Sequence, residues 1–439
     1  MRSRHFDMDK ISTNAQLRSF LEGGIRAADS GKLGLEFEQF VLDSACNTVQ
    51  YFGPGGVEEL LQKLAKATGW KPYSENGHMI SLTADDGRAI TLEPGGQIEF
   101  GSTPCTDLDA MASELAHYRG LLAGLREETG YCFLATGSHP RARPEDIQRL
   151  PKNRYDYLEP WLAQADELGL WMMKTTAGVQ VNFDYFSEND AMQKLRSVFQ
   201  LAPVLNAMFA NSPIRAGALS GYMSWRGHIW TKTDNSRCGI VESLAKEGTT
   251  FDDYIQYVLD IPMLFVHRDG GYEDKRGHSF RDWMASGEAT AEDWEDQMST
   301  PFPEVRFRPQ VELRTADTVP PEYALALAAL VEGLFYNQDA LDEASALTAK
   351  WSHAERLQTW DNAHRSALAG ETPEGHKLLD LARELLQIAQ PTAIAKPYLS
   401  PLQEMLADGR SLAERAVMEI ESHGGDLNAA LSDSCCAYR

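Results

Sequence analysis

"LGLEFEQFVLD", residues 33–43, decides how this chain folds. A strand alternates its side chains with a period of two. Leu35, Phe37 and Val41 therefore share one face, and Glu36, Glu38 and Phe40 share the other. The first face is apolar. The second sets two neighbouring carboxylates beside an aromatic ring, which fits a covered face better than a solvated one.

Three further segments repeat the pattern. In "AITLEPGGQIEFGS" (89–102), a three-residue turn at Pro94-Gly95-Gly96 places Glu93 opposite Gln97, with Glu99 on the same face. Phe100 is expected there too, as cover like Phe40. In "TTAGVQVNFDYF" (175–186), Gln180, Asn182 and Asp184 oppose Val179, Val181 and Phe183. "PEVRFRPQVELRTAD" (303–317), read as one alternating run, sets Glu312 and Arg314 against Val311 and Leu313. Placed side by side in one sheet, Glu36, Glu38, Glu93, Glu99 and Glu312 converge, and like charges that close cannot all stay ionised without cations. Carboxylate and amide oxygens suit Mg²⁺ or Mn²⁺, shared with substrate phosphates. There is no HExxH motif and no zinc-type His/Cys spacing. Fixed positive charge is available from Arg226 and Lys232 in "SWRGHIWTKTD" and from Arg314, with His228 close by in sequence. Walker A and GxGxxG motifs are absent, so a nucleotide would be held by metals on a sheet.

Around these strands the chain reads as helices: 12–28 with Ser12 or Thr13 as cap, 57–69 after a glycine-rich turn, 107–130 ended by Gly130, and 187 to about 210. From residue 321 it is mostly helical. Strands mixed with helices, without regular βαβ units, indicate α+β with a mainly antiparallel sheet. Residues 1–345 are expected to form a catalytic core, and 346–439 a helical region packed on it. The net charge of −23 argues against a nucleic-acid binder. Six cysteines without CxxC spacing fit a reduced, cytoplasmic protein, with Cys435-Cys436 in an exposed tail. The first thirty residues do not read as a targeting peptide, and "YALALAALVEGLF" (323–335) is too short to span a membrane. The partners expected are small molecules, with the chain a monomer or homodimer.

The chain resembles the glutamate–cysteine ligase family of the plant and proteobacterial type. The resemblance rests on "LGLEFEQF", "LEPGGQIEFGSTP", "PKNRYDYLEPWL", "SGYMSWRGHIWTKTD" and "VRFRPQVELRTAD" in collinear order. It implies a curved, glutamine-synthetase-like sheet whose concave face holds metals and ATP. By this resemblance Glu36, Glu38, Glu93, Glu99, Gln180 and Glu312 are ligands of two or three Mg²⁺ ions, and Arg314 contacts the ATP phosphates; Lys232, a candidate from its charge alone, is expected as a second cation there. Arg226 clamps glutamate, with Asn182 and His228 lining its pocket. The implied reaction joins the γ-carboxylate of glutamate to the amino group of cysteine through γ-glutamyl phosphate. The alternatives are another amine acceptor or an inactive relative. The chain departs from the family pattern at Phe37, Gln39, Glu159 and "TVPPEYA" (318–324). Glu159, where many members carry Arg, bears on the acceptor pocket.

Overall fold

The computed structural model describes residues 10–28, 30–268, 270–392 and 394–427; the Cys435-Cys436 pair lies outside them. The alternating segments form one nine-stranded antiparallel sheet. Its strands include β1 (Leu33–Leu42), β2 (Lys71–Glu75), β3 (His78–Thr83), β4 (Ala89–Leu92), β5 (Ile98–Gly101), β6 (Cys132–Leu134) and β7 (Gly178–Phe183). Val305–Phe307 and Val311–Asp317 complete it. The order runs from Val305–Phe307 through Val311–Asp317, β7, β1, β5, β4 and β3 to β2, and β6 pairs with the end of β1.

The apolar faces meet helices. Phe37 lies opposite Phe100, and Phe100 stacks on Tyr118 with ring centroids 4.8 Å apart. Phe100 is thus in the core and not on the carboxylate face, because it follows Glu99 directly and must project the other way. Phe40 does lie beyond the carboxylates, covered by Leu134, Ala177 and Ile214. The buried helices Glu188–Met208 and Pro321–Phe335 pack on the sheet, with Phe183 stacked 4.9 Å from Phe335. The helices His353–Ser366 and Leu378–Ile388 pack in turn on Glu188–Met208, and one apolar core runs from Ile11 to Leu406.

Two segments differ from the sequence reading. The first helix spans only Asn14–Glu22, capped by Thr13. A Cβ on Gly24 would stand 2.1 Å from the Tyr185 hydroxyl, so the Gly23-Gly24 pair ends the helix and lets the chain pass close to that ring. The 303–317 run is a hairpin, because Arg308-Pro309-Gln310 turns the chain and Arg308 N–H donates to the Gln310 carbonyl at 2.7 Å. That turn sets Arg306 opposite Glu312. No helix among the described residues is long and apolar enough to cross a membrane.

Candidate active site

Register brings the polar faces together. Glu36 lies opposite Gln180, Glu38 opposite Glu99, and Glu312 opposite Asn182. Glu93 and Gln97 face each other across the hairpin turn, with Glu93 N–H donating to the Gln97 carbonyl at 2.9 Å. A cavity of about 280 Å³ opens over this face. Glu36, Glu38, Glu93, Glu99 and Gln180 line it, together with Arg226, Arg306, Arg308, Arg314, Lys152 and Arg154. Acids and bases thus share one cavity.

The acids differ in how they are held. Glu38 accepts from Gly178 N–H at 2.6 Å and from the Gln180 amide at 2.7 Å. Burial and the nearby Glu93 nevertheless push its carboxyl up to about 8. Burial raises Glu99 well above the carboxylate range, with Glu36, Glu93 and Glu38 adding to it, although Thr91 hydrogen-bonds to it. Glu36 is raised by burial and by Glu312, and accepts from the Asn182 amide at 2.9 Å. Glu312 is the exception. Burial alone would raise it, but Arg306 and Arg314 together hold it below the carboxylate range. Arg306 Nε and Nη2 each donate to one of its oxygens at 2.8 Å, and Arg314 contacts one of them too.

Among the described residues no group of three or more His, Cys, Asp or Glu side chains is drawn close enough to hold a metal ion. The donor chemistry still fits a hard cation. Glu36, Glu38 and Glu99 carry charge that burial and one another disfavour, and the buried Gln97 Oε1 beside them has no hydrogen-bond partner. Glu312 has both oxygens engaged by guanidinium groups.

Arg226 sits on the short helix Trp225–Trp230, capped by Ser224. Its Nη2 donates to the Arg314 carbonyl at 3.1 Å, and a Cβ on Gly178 would stand 2.7 Å from that same nitrogen. Asp317, 2% exposed, lies 3.9 Å from Arg226 Nη1. It accepts from the hydroxyls of Ser212 at 2.6 Å and Ser224 at 2.9 Å, and Ser212 Oγ accepts from Arg226 N–H at 3.1 Å. The guanidinium is therefore carried across the sheet at a glycine and braced from behind by a buried acid.

Five of the expected residues do not line the cavity: His228, Lys232, Glu159, Asn182 and Glu312. His228 stacks on Tyr222 at 4.2 Å, and burial with the nearby Arg365 lowers its pKa. Lys232 is exposed. Glu159 pairs with Lys174 at 2.9 Å and Arg149 at 3.3 Å. Asn182 reaches the site through Glu36, and Glu312 through Arg314. Lys152, Arg154, Arg306, Arg308 and Asp317 were not singled out from sequence. Lys152 and Arg154 stand two apart in "PKNRYDYLEPWL", and Arg306 and Arg308 alternate in "VRFR", so spacing carried a signal for both pairs.

Residues 32–433 match the glutamate–cysteine ligase family 2 (GCS2). The chain belongs to that family. The ligase is 34% identical over 420 residues to "Glutamate--cysteine ligase B, chloroplastic" of Oryza sativa subsp. japonica, covering 93% of this chain and 84% of the relative. It is 34% identical over 427 residues to the chloroplastic glutamate–cysteine ligase of Brassica juncea, covering 94% and 82%. In fold it is similar to the Francisella tularensis glutamate–cysteine ligase solved with AMP, with a TM-score of 0.57 at 14% identity over 93% of this chain and 88% of that one. The fold is also similar to that of a bifunctional glutathione synthetase from Pasteurella multocida, with a TM-score of 0.53 at 12% identity, covering 98% and 53%.

Proposed function

We propose that this ligase uses ATP to activate the γ-carboxylate of glutamate and joins it to the amino group of cysteine, giving γ-glutamylcysteine, ADP and phosphate. The observation that carries the reading is the shared cavity, with Glu36, Glu38, Glu93 and Glu99 on strands of one sheet and six cationic side chains around them. The reaction needs both. Two anions, the triphosphate and the glutamate carboxylate, must approach within bonding distance, and their repulsion has to be screened.

Arg226, braced by Asp317 and Ser212, holds a carboxylate of glutamate through its two-pronged guanidinium. Arg314, whose Nη1 donates to Gln180 at 2.9 Å, contacts the phosphates. Glu36, Glu38, Glu93, Glu99 and Gln180 would hold two or three Mg²⁺ ions, or Mn²⁺, with Glu312 joining once an arginine turns to the phosphates. When bound, the metal neutralises the crowded phosphate oxygens. In the first step the γ-carboxylate oxygen attacks the terminal phosphorus and ADP leaves. In the second the cysteine amine attacks the γ-carbonyl carbon, loses a proton and expels phosphate. The chain holds the reactants in line for both displacements. Cys105 and Cys238 are free thiols, in keeping with work in the cytoplasm.

The test is ADP release with glutamate, Mg²⁺ and a panel of amines. Cysteine is expected to support turnover far better than the other acceptors. ADP release with a different amine alone would move the assignment to that acceptor, and none with any amine would end the ligase reading.

A further inference from the structure

The catalytic cavity is small for its task. At about 280 Å³ it falls just below the usual ligand-pocket range of roughly 300–1,000 Å³, yet the reaction needs a nucleoside triphosphate and two amino acids. Its carboxylate, guanidinium and ammonium groups suit phosphates, with Tyr155, Trp230 and Phe302 as the aromatic part of its wall. A second cavity of about 350 Å³ adjoins it, and Trp230 lines both.

The second cavity has a different chemistry. Trp230, Ile240, Leu357 and Trp360 give it aromatic and aliphatic walls, with Asn235 and Asp361 among them. His353, Leu357, Trp360 and Asp361 recur at helical spacing, so one stripe of the His353–Ser366 helix forms a side of it. Three of its lining residues carry a buried ring nitrogen with no hydrogen-bond partner: Trp230 Nε1, Trp360 Nε1 and His353 Nδ1. Trp360 is only 5% exposed. Buried indole N–H donors are costly to leave unmade, and two around one cavity point to a ligand with acceptor atoms. The guanidinium groups of Arg226 and Arg314 stand 5.8 and 5.9 Å from the Trp230 ring centroid, so the residue joining the two cavities also carries the two arginines.

We infer that this second cavity seats the purine ring of the nucleotide whose phosphates enter the first, an inference that rests on the ATP reading above. Indole faces stack on a base, indole N–H groups complement purine ring nitrogens, and Asp361 and Asn235 offer acceptors to an exocyclic amine. A free purine nucleoside carries the same chemistry, and competition separates the two sources.

The test titrates the full chain calorimetrically with adenosine, with MgATP, and with magnesium tripolyphosphate, which has no base. Leu357, 38% exposed, is replaced by the larger indole in Leu357→Trp to fill the cavity. Trp360→Phe keeps a ring and removes the N–H. Adenosine is expected to bind competitively with MgATP. In Leu357→Trp both should weaken about tenfold or more, while tripolyphosphate binding and the glutamate KM stay within about twofold. Trp360→Phe should weaken adenosine several-fold with an unchanged melting temperature. Equal adenosine affinity in the wild type and both variants, no adenosine binding to the wild type, or adenosine and MgATP bound together would overturn the assignment. Binding is read without turnover. A chain that binds adenosine competitively but releases no ADP would end the ligase reading and leave the cavity assignment standing.

Discussion

Replacing Arg306 by methionine tests the electrostatics of the site directly. Arg306, 6% exposed, donates to both oxygens of Glu312 and to the carbonyls of Ser299 at 3.1 Å and Pro301 at 2.8 Å. Methionine fills similar space but donates nothing. Glu312, 2% exposed, then keeps only Arg314, and two carbonyls lose a partner. Breaking a buried pair by removing one member costs about 3–5 kcal/mol. Unfolding entropy is roughly 2.1 cal/mol/K per residue, so over 439 residues the melting temperature should fall by about 3–5 °C in a calorimetric scan. Glu312→Leu added to Arg306→Met removes the stranded charge and should recover most of that loss. A shift below about 1 °C for the single variant, or a double variant no more stable than the single, would refute the claim that Glu312 depends on Arg306 for its charge.

Arg226→Lys keeps the charge and loses the fork, so the glutamate KM should rise about tenfold or more with ATP affinity little changed; the opposite pattern in steady-state kinetics would exchange the two substrates' places. Asp317→Asn keeps the shape of the brace but withdraws its charge, so the glutamate KM should rise by several-fold; an unchanged KM would mean that Arg226 needs no brace. Burial and Glu93 push the Glu38 carboxyl up to about 8, above the ordinary carboxylate value, so in the metal-free protein this group holds its proton between about pH 4.3 and 8, where the unfolded chain has lost it. The stability that this carboxyl contributes should therefore fall as pH rises through that window. Mg²⁺ must displace that proton, so its affinity should climb towards pH 8, with proton release measurable by calorimetry in buffers of different ionisation enthalpy. Binding at pH 7 without proton release would contradict the raised carboxyls.

The acid-bearing faces were legible because two-residue alternation is local and needs no partner. Glu36, Glu38, Glu99 and Gln180 followed from parity alone. Phe100 was misplaced against that same parity. Arg306 was missed because the alternation of 303–317 runs straight through Pro309, where the chain turns and brings Arg306 back against Glu312. Asp317 was hidden by a different device. Strict alternation from Glu312 puts it on the core side, but the register shifts between Leu313 and Ala316, and the extra residue turns Asp317 to lie opposite Gly178 on the site face. His228 and Lys232 were grouped with Arg226 by nearness in sequence, whereas a one-and-a-half-turn helix points neighbours in different directions.

The strand order has a consequence for the growing chain. β7 lies between β1 and Val311–Asp317, so when residue 183 has been made one of its edges still awaits a partner more than a hundred residues away. Throughout that interval the unpaired amides of Gly178–Phe183, flanked by Val179, Val181 and Phe183, form a sheet edge open to another chain. The strand that brings Glu312, Arg314 and Asp317 to the site is the same one that closes this edge. Fragments that stop before residue 311 should therefore be both inactive and prone to self-association, whereas loss of residues after 408 leaves the sheet fully paired.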